Sequence, residues 1–180
     1  MFSFLRNTYA VFIFVLFIII TGCSKSSKIS DTYLQFSVEG KEYKLDHIVL
    51  DILKLNSDNW HFIGLGQDPM KTNIVTAVPT AGIQWRMRLG NVKELQGRKI
   101  DLSDMNDDKL LATAIFTLTQ DIGVTPDINS EIKLEITAVS ENYVEGTFAG
   151  KNLTYVSMSQ DIYKKVDVSG SFRAKINISN

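Results

Sequence analysis

"EIKLEITAVSENYVEGTFAG", residues 131 to 150, decides the fold class. Ile132, Leu134, Ile136 and Ala138 alternate with Glu131, Lys133, Glu135 and Thr137. A period of two places all the apolar side chains on one face of an extended chain, so the segment reads as a strand with one buried and one wet side. "SENY" then turns the chain, and a second extended run follows through Phe148.

The same alternation recurs on either side of this stretch. Leu34, Phe36 and Val38 alternate with Gln35 and Ser37, "EGKE" turns the chain, and "YKLDHIVL" continues it, which is a hairpin signal. Ile83, Trp85, Met87 and Leu89 alternate with Gln84, Arg86 and Arg88. Ala112, Ala114, Phe116 and Leu118 alternate with threonines, and Phe172, Ala174, Ile176 and Ile178 close the chain opposite Ser171, Arg173, Lys175 and Asn177. "WHFIGLG" from Trp60 and "IVTAVPT" from Ile74 are apolar on both faces and belong inside a sheet. No segment holds a 3.6-residue apolar period over three turns; the best helical candidate is Asp101 to Leu111, with Ser103 or Asp104 as its cap. About ten short strands separated by turns predict an all-β domain over residues 33–180, a single antiparallel β-sandwich or flattened barrel.

The chain begins differently. Arg6 precedes an uninterrupted apolar run from Tyr9 to Ile20, too short for the roughly 20 residues that cross a bilayer and long enough for the core of a signal peptide. Ile20-Thr21-Gly22-Cys23 ends that run with two small residues and the one cysteine of the chain. This segment resembles the lipobox of bacterial lipoprotein precursors. The resemblance implies a signal peptide over residues 1–22, cleavage between Gly22 and Cys23, and acylation of Cys23. It makes Cys23 an anchor to the membrane, held stably once two or three acyl chains are buried. The polar stretch that follows, residues 23–32, reads as a flexible tether. The family's sorting rule reads the residue after the cysteine; Ser24, where Asp would mark retention at the inner membrane, implies the outer membrane, and the absence of an acidic cluster implies the periplasmic side.

A second resemblance lies in the strands. "FSVEGKEYKL", "ITAVSENYVEGTFAG" and "VSGSFRAKI" are similar to segments of small all-β lipoproteins of unknown function from Bacteroidota. The likeness covers about a third of the chain and implies fold and compartment, with no activity attached. Within it Gly146, Gly150 and Gly170 fit bends or bulges, and Phe148 and Phe172 fit core positions.

Removing residues 1–22 leaves 18 basic and 20 acidic residues, a net charge of −2. That excludes the basic footprint of a nucleic-acid binder. His47 and His61 are the two histidines, with Asp46, Asp51 and Asp58 nearby in sequence, but a lone histidine beside Trp60 and Phe62 is better read as a hydrogen-bonded structural residue. The acidic stretch from Asp104 starts like a calcium loop and fails at Lys109 and Ile115, where Gly and Glu are needed. Gly64 and Gly66 are followed by Pro69 where a phosphate-binding helix should begin, and a turn explains them better. No metal or cofactor is expected. Two function classes stand: a non-catalytic binding or interaction module for a protein or glycan partner, with Trp60, Arg86 and Arg88 as contacts, and an envelope hydrolase using carboxylates from separate strands. No nucleophile–base pair is evident in the sequence, which favours the first.

Overall fold

The computed structural model describes residues 30–55, 58–68, 70, 79–102 and 113–179. Cys23 and the signal segment, most of the run from Ile74, and the acidic stretch from Asp104 lie outside the described residues, as does the helical candidate beyond Leu102; its first residue, Asp101, ends a strand. Among the described residues are eleven strands and one 3-10 turn over Val92–Leu95, capped by the Asn91 side chain accepting from Lys93 N.

Six strands form the first layer. β1 (Tyr33–Val38) and β2 (Lys41–Asp46) make a hairpin whose two-residue loop, Glu39-Gly40, has positive φ at both positions (51° and 76°), the geometry that follows the twist of the flanking strands. β1 pairs with β11 (Ile162–Ser179), β11 with β10 (Tyr143–Ser157), β10 with β9 (Glu131–Val139), and β9 with β6 (Lys99–Asp101). The second layer contains β3 (Ile48–Lys54), β4 (Trp60–Gln67), β5 (Thr80–Arg88), β7 (Thr113–Thr119) and β8 (Ile122–Thr125).

The two long strands join the layers. The far half of β10 pairs with β8, and the last five residues of β11 pair with β3, so β3, β4, β5, β7, β8, β10 and β11 close into a hydrogen-bonded ring. The fold is thus a flattened barrel, or equally a sandwich whose two sheets share strands at opposite corners. At the β10 corner Lys151 and Asn152 oppose the single residue Asp167, a bulge with Asn152 at φ 56°. The bulge resets the alternation: Val144, Gly146, Phe148 and Gly150 are buried before it, and Leu153 and Ser157 after it. Asp127 ties the neighbouring turn to this corner. Its carboxylate accepts from Lys165 Nζ, from Thr154 Oγ1 at 2.8 Å and from Asn129 N at 2.9 Å, while Asn152 Nδ2 donates to Asn129 O at 2.9 Å.

The β3–β11 ladder is parallel, a departure from the purely antiparallel expectation, and its cause is local. β2 runs parallel to β11 with β1 between them, and the chain leaves β2 through one residue, His47, at φ 60°. It turns the corner without reversing, so β3 lines up beside β11 in the direction β2 already had. Thr32, expected at the end of the tether, is buried and accepts Ile48 N at 2.9 Å, and Ser30 Oγ accepts His47 N at 3.2 Å; the domain therefore takes hold of the chain from Ser30.

The inward faces make one core, including Leu34, Phe36, Leu50, Ile52, Ile63, Leu65, Ile83, Trp85, Phe116, Leu134, Phe148 and Phe172. Phe116 of the second layer bridges the first, with ring centroids 5.2 Å from Phe36 and 5.8 Å from Phe148. Three expectations need correction. Ala138 is exposed, because Thr137 is an extra residue opposite the β10 step from Glu145 to Gly146 and reverses the alternation beyond it. Ile178 is 58 % exposed, since β11 has by then run past the body of the first layer. Gly170 sits at no bulge: it faces Phe148 in regular register, as Gly146 faces Phe172, and each ring lies over the opposite glycine.

Candidate functional site

Trp60, Arg86 and Arg88 come together on the outer face of the second layer. Ile63 and Leu65 of β4 and Ala81, Ile83 and Trp85 of β5 point into the core, so the alternate residues Trp60, Phe62, Gly64 and Gly66, and Gly82, Gln84, Arg86 and Arg88, share the opposite face. The β4–β5 register sets Trp60 against Arg88 and Phe62 against Arg86. Both guanidinium carbons lie over the Trp60 ring, Arg86 at 5.1 Å and Arg88 at 5.0 Å from its centroid, within the range of cation–π attraction. Trp60 is half-buried, as is Arg86; Arg88 is exposed.

Next to this cluster the sheet surface is low. Gly64 and Gly66, expected in a turn, lie inside β4, and Gly66 pairs with Gly82. An added Cβ would meet nothing closer than 3.9 Å at Gly64 and 3.4 Å at Gly66, so no close packing among the described residues explains these glycines. They leave bare backbone beside Phe62, whose other neighbour is Leu53, 42 % exposed.

The histidines do not meet. His47 stands before one end of the β3–β4 ladder and His61 faces Lys54 at the other, roughly 20 Å along the strands. His61 Nδ1 contacts Asn59 O at 2.8 Å, where the carbonyl accepts and the ring nitrogen donates. His47 lies in an open cleft with Asp51, Asp68, Tyr143 and Lys175. There Asp51 Oδ1 accepts Asn177 Nδ2 at 2.7 Å and Asp68 Oδ1 accepts Met70 N at 3.0 Å. Among the described residues no three His, Cys, Asp or Glu side chains converge to hold a metal ion. No helix among them is long and apolar enough to cross a membrane.

Among the described residues, Asp127 is the one group whose ionisation the fold clearly shifts. The Lys165 ammonium bonded to it, helped by the Asn129 N–H and the Thr154 hydroxyl, holds its carboxyl well below the usual carboxylate range. Its partners belong to the corner bulge, so the role is structural. Sequence reasoning missed this network because Asp127, Asn152 and Lys165 are joined only by the folded corner.

No protein family, curated protein or solved structure matches this chain.

Proposed function

We propose that this chain is a membrane-anchored envelope lipoprotein, cleaved after Gly22, acylated at Cys23, and held on the periplasmic side of the outer membrane. Its β-domain serves as a non-catalytic binding module for a protein or glycan partner, contacted through Trp60, Arg86 and Arg88. The observation that supports the binding role is the convergence of these three side chains on one sheet face, with two cations stacked on one indole. An aromatic ring with arginines is the composition that carries binding energy at recognition surfaces, because it offers large contact area at low entropic cost. The ordered lipobox sequence supports the anchor.

Fractionation tests the anchor. The wild-type chain is expected in the detergent phase with the outer-membrane pool at its mature mass, and Cys23→Ala as a precursor or soluble form. A Cys23→Ala protein that still partitions into detergent at mature mass overturns the lipoprotein reading. For the binding role, an array of glycans and peptides probed with wild type and Trp60→Ala is expected to show signals that the substitution removes.

A further inference from the structure

Arg86 and Arg88 differ from the other arginines of the described domain. Arg173 pairs with Glu145 at 2.9 Å, and Arg98 Nε donates to Glu94 O at 3.0 Å. Arg86 and Arg88 form no ion pair with a carboxylate among the described residues; Arg86 Nε is buried without an acceptor there, as is Arg173 Nε, but Arg173 is paired through Nη1. Both lie about 5 Å from one ring centroid, so their charges are within about 10 Å of each other, near one screening length at physiological salt. No carboxylate among the described residues is paired with either charge, so an anion bound beside them would meet both uncompensated. Contact with the Trp60 ring also restricts both side chains in advance, which lowers the entropic cost of the bidentate contact guanidinium makes with carboxylate or sulfate.

The neighbouring surface indicates what carries the anion. β4 is paired on both sides, with β3 and β5, so a peptide cannot add to it as a further strand. What β4 and β5 offer together is a face: the Phe62 ring, the Gln84 amide, and the bare strip of Gly64, Gly66 and Gly82. A flat ring-shaped unit can lie on such a floor with its acidic substituent on the arginines. Nucleic acid is a poor fit, since two arginines on a chain whose residues 23–180 carry a net charge of −2 fall far short of the roughly six to ten phosphate contacts of a typical binder.

From this we infer that the Trp60 site takes an acidic saccharide, a carboxylated or sulfated sugar ring. The inference rests on the binding role proposed above for Trp60, Arg86 and Arg88. Full-length protein in detergent micelles is titrated with polygalacturonate, chondroitin sulfate, neutral dextran and poly-glutamate. At least one of the two acidic polysaccharides is expected to bind, with affinity falling steeply between roughly 0.05 and 0.5 M salt. Arg86→Gln and Arg88→Gln are each expected to weaken it about tenfold or more, with Lys at either position intermediate because it keeps charge and loses the fork. Thermal melts of each variant separate lost binding from lost folding.

Dextran bound with Trp60 dependence but no arginine dependence would overturn the acidic class and leave the binding role standing. Acidic polysaccharide bound with indifference to all three residues would remove both readings. Poly-glutamate bound as tightly would show that charge alone is recognised and overturn the saccharide class, and absence of binding by either acidic polysaccharide would overturn the inference.

Discussion

Gly170→Ala places a methyl group where the β10–β11 ladder leaves no room. The added Cβ would lie 2.6 Å from Phe148 Cζ and closer still to the backbone oxygen of Gln35, whereas carbon atoms rest about 3.5 to 4 Å apart. Phe148 is 4 % exposed and stacked against Phe116, so its ring can retreat only by disturbing the centre of the core. The Gln35 carbonyl belongs to β1, so relieving the second contact means moving a strand. Overpacking a core costs about 1 to 3 kcal/mol, and because one obstacle here is backbone the expected loss is about 2 to 3 kcal/mol. For a domain of this size that lowers Tm by roughly 4 to 12 °C. Phe148→Leu in the same chain removes the obstructing ring edge and should return part of that loss, a coupling readable in a double-mutant cycle by urea denaturation. Gly64→Ala is the control: its nearest neighbour is Gln84 Cγ at 3.9 Å, and the substitution should be neutral or stabilise by up to about 1 kcal/mol. If Gly170→Ala and Gly64→Ala melt together, the account of the glycine–phenylalanine pairs is wrong.

A chain ending at Val168 loses buried Phe172 and Ala174 together with ladders to β1, β10 and β3; it should aggregate or lack a cooperative thermal transition, and a sharp melt would place β11 outside the core. Thr32→Val removes the buried acceptor of Ile48 N and should cost about 1 to 3 kcal/mol in urea titrations, whereas Thr32→Ser, which keeps the hydroxyl, should cost less. The folded Asp127 carboxyl ionises below its unfolded value of 3.8, so its contribution is complete above that pH and fades as pH falls beneath it. The stability gap between wild type and Asp127→Asn should therefore be constant from neutral pH to about 5 and narrow toward about pH 2; a gap that widens on acidification would contradict the Lys165 contact.

The strands were legible where one face is buried, since alternation such as Ile83, Trp85 and Leu89 answers directly to the exclusion of water. The corners were not. Nothing in the order of residues marks Thr137 as the extra residue of β9, or His47 as the corner that makes β3 parallel to β11, because both depend on which strands lie alongside. Gly170 carried a signal read for the wrong reason: a Gly-x-Phe run on each of two antiparallel strands puts every ring over a glycine, which is packing and not bending. The sequence offers Trp60, Arg86 and Arg88 as contacts of a binding module, and only the β4–β5 register brings them within one cluster. The Leu53 and Gly66 neighbours of that cluster have no signature of their own.

The order in which the chain emerges has its own bearing on the closed ring. β1 and β3 each find one partner nearby in sequence, and the other partner of both is β11, the last strand. Asp51 and Asn177, bonded across that final seam, are separated by 126 residues. Until the final strand is available, the early hairpins present unpaired edges of the kind that recruit other chains. Folding from the first residue onward therefore cannot finish early, and closure waits on a long-range step of the slow, non-local type. A chain built this way is most exposed to self-association in the interval before β11 is made.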